Sequence, residues 1–480
     1  MAVATAALPI TESSARQLAE AIAAREVAAR EVVETHIELL ERSGTNAIAA
    51  DRYEQAREEA DAADARIEAG ESDLPPLLGV PCTIKESIRV RGMPNCAGLV
   101  CRRDFRSEET APAAQRLIDA GAIPLGVSNV SELTMWLESD NRVYGRTNNA
   151  YDRKRIAGGS SGGEGAAIGS GGSPIGLGSD IAGSIRMPAF FNGVFGHKPS
   201  PDIVPDTGMF PSTGGEAARL LTMGPLSRRA EDLMPLIRII AGPDGQDQRT
   251  RDVELGDPDE VSLDGLDVIL SEHASFLPTK RELREARERA AGALAAAGAR
   301  VRREDMKELR RALELFLVAL QDGADVSVRD IIVNEGGTPP TLRTAFRRGG
   351  PYTIPTLLLL AAERIGERMP EIQTRRALAA ARSVSEQVTG VIGGGVLLHP
   401  SHARVAPRHS TTIGQTWLIT PTAAFNLLGL PVTQVPLGLN AKGLPLGVQV
   451  AAGPDRDHVT IAVALELERV FGGWVPPWRA

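Results

Sequence analysis

The sequence predicts an α/β fold, and three observations carry that expectation. A helix over residues 110–120, closed by Gly121, leads directly into a strand through Ile123 to Val127. The order strand, helix, strand returns over residues 266–270, 281–297 and 299–303, which implies a layered α/β body. A short unbroken apolar run, residues 77–84, reads as a buried strand that delivers Lys85 at its end. The chain has 480 residues, of which 42% are hydrophobic and 24% charged, the balance of a folded globular protein rather than a disordered one. Length alone would allow about three domains, but large α/β enzymes exceed that prior as one unit, and residues 1–480 are read as a single domain.

Taken in order, residues 13–43 carry two amphipathic helices. Leu18 and Ile22 mark the first, and Val32, Val33, His36, Ile37 and Leu40 recur at helical spacing on the second, which Gly44 stops. His36 sits on the apolar stripe and reads as a partly buried helix histidine with no part in chemistry. Residues 53–70 form an alanine-rich, acidic outer helix. Lys85 differs from the other cations because it ends an apolar strand instead of decorating a polar face. Burial there would disfavour its ammonium form and make it a base near neutral pH. A helix is expected over 230–241 and a polar surface connection over 243–265. Residues 306–385 are mainly helical and include the apolar run 352–362. That run reads as a buried core helix, with an access flap or membrane-touching element as the alternative that Arg347, Arg348 and Arg364 favour. A strand over 396–399 ends in His399-Pro400-Ser401-His402; strands over 431–437 and 446–451 and a helix over 458–471 close the chain.

Composition excludes several classes of function. A formal net charge of −8 leaves no concentrated basic face for nucleic acid. Three cysteines, Cys82, Cys96 and Cys101, are an odd set that reads as thiols in a reducing, cytoplasmic setting rather than as a disulfide framework. Neither they nor the His399/His402 pair complete a metal-ligand set. The first residues show no basic region ahead of an apolar segment, so no leader is expected, and no run approaches the ~18 apolar residues of a membrane span.

The stretch Gly158 to Ser200, GGSSGGEGAAIGSGGSPIGLGSDIAGSIRMPAFFNGVFGHKPS, is too rich in Gly and Ser for an ordinary core segment and too apolar for a linker. Glycines let a backbone turn its N–H groups inward against a small ligand. This stretch resembles the signature of the amidase signature family. Its Glu164-Gly165 pair, its IGSGGSP run and its MPAFFNGVFGHKPS tail are most similar to the fatty-acid-amide-hydrolase branch, and agreement over about 40 positions makes the signature specific. The segments LLGLPVTQVPLG and GLPLGVQVAAGP resemble the family's C-terminal region. The resemblance implies a central mixed sheet flanked on both faces by helices, with a signature core over about 75–240 and 390–480 and a more variable helical region over 306–385.

By position in the motifs, the family's catalysts fall on Lys85 in GVPCTIKES, on Ser160, a serine in a cis peptide bond, and on Ser184, the nucleophile. The implied reaction is amide hydrolysis through an acyl-enzyme, with no cofactor and no metal. Lys85 takes a proton from Ser160 as Ser160 takes one from Ser184, a Ser-Lys variant of the serine-hydrolase triad. The N–H groups of Ile181, Ala182, Gly183 and Ser184 would face the oxyanion. Segment 129–140, with Thr134, Met135, Trp136 and Leu137, would wall the acyl site, Thr134 contacting substrate. Ser161 would orient Lys85, and Asp180 with Arg186 would brace the oxyanion turn. One departure stands out: many relatives read Gly-Gly before the nucleophile, and this chain reads Ala182-Gly183, which would narrow substrate choice.

Rival readings remain open at this point. Ser160 and Ser161 each centre a G-x-S-x-G, but that elbow must follow a strand, and Asp152 to Ile156 is not one. Within the family the competitor is the amidotransferase subunit that hydrolyses glutamine with partner chains. Outside catalysis, it is an inactive binding protein on the same fold. The expected partner is a small amide, without nucleic acid and without a membrane span; peripheral membrane contact and a homodimer are left open.

Overall fold

The computed structural model describes residues 9–212, 214–274, 278–323, 326–340, 349–366 and 371–480. Two helices open it, Ala15–Ala23 and Ala29–Ser43, each burying its apolar stripe. Gly44 ends the second in the left-handed conformation, φ +61°. His36 is sealed on that stripe, Nδ1 2.7 Å from the Val32 carbonyl and Nε2 2.6 Å from Arg228 Nη2. Burial lowers its pKa to about 3, so it stays neutral.

The strands, in chain order, are β1 Ile48–Asp51, β2 Pro81–Lys85, β3 Ile123–Ser128, the short hairpin β4 Asp140–Asn141 and β5 Gly145–Arg146, and β6 Ile175–Asp180. There follow β7 Phe195–Lys198, β8 Thr222–Ser227, β9 Asp267–Glu272, β10 Arg300–Asp305, β11 Val396–His399, β12 Val432–Leu439 and β13 Pro445–Ala452. All but the hairpin join one sheet in the order β1-β3-β2-β6-β8-β7-β12-β13-β11-β9-β10. It is mixed: β2 runs parallel to β3 and β6, and β9 parallel to β10 and β11, while the strands between them pair antiparallel. The expected strand before Lys85 is shorter than its apolar run; Leu77 and Leu78 lie in a turn, and Lys85 is the strand's last residue.

Side-chain alternation shows helices on both faces. Thr433 of β12 shares a 2.8 Å hydroxyl contact with Thr460 of helix Asp457–Phe471. Gln449 of β13 pairs with Gln434, the next residue along β12, and so faces the other way. There it accepts from Arg186 of helix Arg186–Phe191 at 3.0 Å and donates to Pro421 of helix Thr420–Leu427 at 2.8 Å.

The expected buried helix over 352–362 is instead half exposed. Helix Ile354–Gly366 leaves Ile354 at 53% and Leu358 at 44% exposure, while Leu357 and Leu360 pack on a cluster of Leu133, Phe210, Ile332 and Tyr352. Its apolar residues exceed one helical face, so the surplus meets solvent. Arg347, Arg348 and the Arg364 side chain lie outside the described residues. Among the described residues, no helix is long and apolar enough to cross a membrane.

Candidate active site

Lys85 is the last residue of strand β2 and has no solvent exposure. Its Nζ donates to Ser160 Oγ at 2.7 Å and to Ser179 Oγ at 2.9 Å. Burial lowers the lysine to about 7, partly opposed by the carboxylates of Asp180, Glu164 and Glu86. An amine in that position spends much of its time uncharged near neutral pH, with a lone pair available beside a hydroxyl.

Ser160 follows a cis Gly159–Ser160 peptide, and its carbonyl accepts from Ser139 Oγ at 3.2 Å. Directly after it, helix Gly162–Gly169 begins. Ser161 N–H donates to the Ser184 carbonyl at 3.2 Å, so the two serine clusters of the glycine-rich stretch lie side by side. The Ser161 hydroxyl, expected to orient Lys85, donates instead to the Ser179 carbonyl at 3.2 Å. The hydroxyl that does join Ser160 on the amine is Ser179, one residue before the end of β6.

The turn after β6 is built on Asp180. Its Oδ1 accepts from Gly183 N at 2.7 Å and its Oδ2 from Ile185 N at 3.0 Å, a carboxylate filling its own turn. Arg186 comes back on the same carboxylate through Nε at 3.1 Å and Nη2 at 2.9 Å, with neither side chain exposed. Burial alone would raise the Asp180 pKa; the guanidinium outweighs it and holds the carboxyl well below the usual range. Asn426, on helix Thr420–Leu427, donates to Asp180 Oδ1 at 3.0 Å, and Thr422 Oγ1 donates to the Ala182 carbonyl at 2.7 Å.

This geometry alters the expected set of oxyanion donors. The Gly183 N–H is committed to Asp180, whereas those of Ile181, Ala182 and Ser184 have no protein acceptor among the described residues. Of the four expected N–H groups, three are uncommitted within the described residues. Gly183 has φ +114°, and a Cβ there would overlap the Thr422 hydroxyl. Ala182 is outside the positive-φ set, so its methyl group requires nothing that only glycine supplies.

Thr134 closes the short helical turn Glu132–Thr134, and it and Leu133 adopt left-handed backbone, φ +59° and +55°. Met135 packs with the Leu133–Tyr352 cluster, Trp136 Nε1 donates to Thr412 Oγ1 at 3.3 Å, and Leu137 is buried in the main core. The two histidines of the HPSH run part company: His399 Nδ1 meets Ser271 Oγ at 2.8 Å, and His402 Nδ1 meets the Arg404 carbonyl at 2.7 Å. No cluster of metal-ligating side chains occurs among the described residues.

Comparison with known proteins places the chain in a family. The model of the family described as Amidase matches residues 31–461. The chain belongs to the amidase signature family. This amidase is 41% identical to human fatty-acid amide hydrolase 2 over 98% of its own length and 92% of that protein. It is 31% identical to a glutamyl-tRNA(Gln) amidotransferase chain of Deinococcus radiodurans, over 95% of this chain and 97% of that one. A bacterial aryl acylamidase of known structure superposes with a TM-score of 0.79 at 25% identity, covering 96% and 97% of the two chains. The amidase is therefore an amide-bond hydrolase on the amidase signature fold.

Proposed function

We propose that this amidase cleaves carboxylic amides with apolar acyl or aryl groups through an acyl-enzyme, with Lys85, Ser160 and Ser184 as its catalysts. The observation that carries the proposal is a wholly buried lysine, lowered to about 7, whose Nζ is 2.7 Å from the Ser160 hydroxyl. Neutral Lys85 accepts the Ser160 proton while Ser160 accepts that of Ser184, and Ser184 Oγ bonds to the amide carbon. The N–H groups of Ile181, Ala182 and Ser184 stabilise the oxyanion, typically ~3–4 kcal/mol per well-placed donor. Ser160 then protonates the leaving amine, Lys85 restores its proton, and water releases the acid by the same relay.

An apolar acyl group is supported by two facts. The relative with the higher identity is a fatty-acid amide hydrolase, 41% against 31% for the amidotransferase chain. Thr134 is also flanked by apolar residues, Leu133 and Met135, that share a cluster with Tyr352, Leu357 and Leu360. Three unpaired thiols, Cys82, Cys96 and Cys101, support a reducing, cytoplasmic setting. A fluorophosphonate should label the native protein but not Ser184→Ala, and a graded panel of acyl amides and anilides should be hydrolysed faster than glutamine. Ammonia release from glutamine in preference to every apolar amide would replace this reading with the amidotransferase one. Failure to label together with failure to turn over the whole panel would leave a binding protein.

A further inference from the structure

We infer that Glu164 is a positioning residue whose carboxylate sets the pH at which Lys85 becomes available as a base. The inference rests on the reading of Lys85 as the proton acceptor. Glu164 lies in the first turn of helix Gly162–Gly169 and has no solvent exposure. Its Oε2 accepts from Thr83 Oγ1 at 2.6 Å, and the Ser128 hydroxyl at the end of β3 also favours its charged form. Thr83 stands two residues before Lys85 on β2, so both side chains leave the strand on one face, under that helix.

The sheet makes room for this carboxyl. Thr83 pairs with Gly176 of β6, and a Cβ at 176 would overlap Glu164 Oε2 outright. Any side chain there would evict the group, so the cradle and the acid come as a set within the same glycine-rich stretch.

Three carboxylates favour the Lys85 ammonium through charge: Asp180 at the end of β6, Glu164 on the helix, and Glu86 next in the chain. Asp180 is neutralised by Arg186. Glu86 is taken up by the Cys96 N–H at 2.6 Å, the Ala97 N–H at 2.8 Å and the Tyr144 hydroxyl at 2.7 Å. The nearby Cys82 thiol is raised by burial and stays uncharged. Among the described residues, Lys85 is thus the one cation that acts on Glu164. Burial raises Glu164 and lowers Lys85 toward each other, so the two titrate as a coupled pair. A negative Glu164 favours the ammonium; removing it lets Lys85 lose its proton at lower pH.

The test is the pH dependence of kcat/KM from pH 5 to 9 on one acyl p-nitroanilide, for wild type, Glu164→Gln, Thr83→Val and Ser184→Ala. Glu164→Gln keeps the acceptor for Thr83 and removes the charge, and should move the acidic limb down by about one pH unit. Thr83→Val removes the larger of the two hydroxyl contributions to the carboxylate, favours its uncharged form, and should move the limb the same way by less. A limb that stays in place or moves up in Glu164→Gln, or in Thr83→Val if the first variant does not fold, overturns the inference. A lowered plateau with an unmoved limb would mark a purely structural role and also overturns it. Turnover retained by Ser184→Ala would instead bring down the serine reading itself, whatever the limb does.

Discussion

Asp180→Asn tests how much of the site is held by one buried charge pair. The carboxylate receives six N–H groups: Oδ1 those of Gly183, Arg186 Nη2 and Asn426, and Oδ2 those of Ile185, Arg186 and Arg186 Nε. Asparagine keeps one acceptor oxygen, so whichever way the amide turns, three donors face an NH₂ group. Arg186, with 0% exposure, is left with neutral partners only: the Thr422 carbonyl, Gln449 Oε1 and Asn426 Oδ1. Removing one partner of such a pair costs about 3–5 kcal/mol. Because the same oxygens shape the turn that aims the Ala182 and Ser184 N–H groups, kcat/KM should fall by ~10²–10³ as well. Urea denaturation at pH 7 reads the first effect and steady-state hydrolysis the second. Arg186→Met should cost a similar amount, and Asp180→Leu/Arg186→Met less than the sum of its parts, since no lone charge remains buried. The folded carboxyl titrates below its unfolded value, so its stabilisation is complete above about pH 4 and is lost only as pH falls through the lower, folded pKa. The Asp180→Asn loss should therefore be constant from pH 5 to 8. A variant within about 1 kcal/mol of wild type with kcat/KM intact would refute this account of the turn.

The remaining expectations follow from the same contacts. Lys85→Ala should lose ~10²–10⁴ in kcat/KM at pH 7 with its circular dichroism unchanged, and wild-type kcat/KM should fall about tenfold per unit below pH 7 as the amine protonates; a flat profile from pH 5.5 to 8 contradicts a relay through Lys85. Gly183→Ala should abolish measurable turnover, because the position needs φ +114° and a Cβ would run into Thr422 Oγ1, whereas Ala182→Gly should stay within a few-fold of wild type. Ser179→Ala removes one of the two hydroxyls on Lys85 and should lower kcat about five- to tenfold, the loss of one hydrogen bond worth ~1 kcal/mol, with KM unchanged. A KM effect of equal size would show that Ser179 acts on substrate binding instead.

Much of the layered body was legible because half-buried elements keep a period. Leu18 and Ile22, then Val32, Val33, Ile37 and Leu40, mark their helices within a few residues of the observed ends. Strands β9 to β13 were legible in the same way, but β6, β7 and β8, inside and just after the glycine-rich stretch, were not. β6 Ile175–Asp180 and β8 Thr222–Ser227 are buried at every position, so no alternation of polar and apolar residues betrays them, and the glycines of β6 read locally as loop. The exposed half of helix Ile354–Gly366 was missed for the opposite reason: an apolar run looks buried until the neighbour that would cover it proves to be narrower than the run.

The site divides along the same line. Motif position nominates Lys85, Ser160 and Ser184, and the resemblance nominates Asp180 with Arg186, each from residues local in sequence. What sequence order could not supply is register between strands. Ser179 reaches Lys85 because β2 and β6 run parallel with Ile84 opposite Leu177, and Glu164 reaches Thr83 because that same register sets Gly176 beside it. Register also decides direction: Ser161, adjacent to Ser160 in the chain, turns its hydroxyl to the Ser179 carbonyl, while Ser179, 18 residues on, turns its own to the amine. A lysine read as oriented by Ser161 is held by Ser160 of the loop and by Ser179 of the next strand, so the environment that sets its basicity is a property of the β2–β6 pair as well as of the loop.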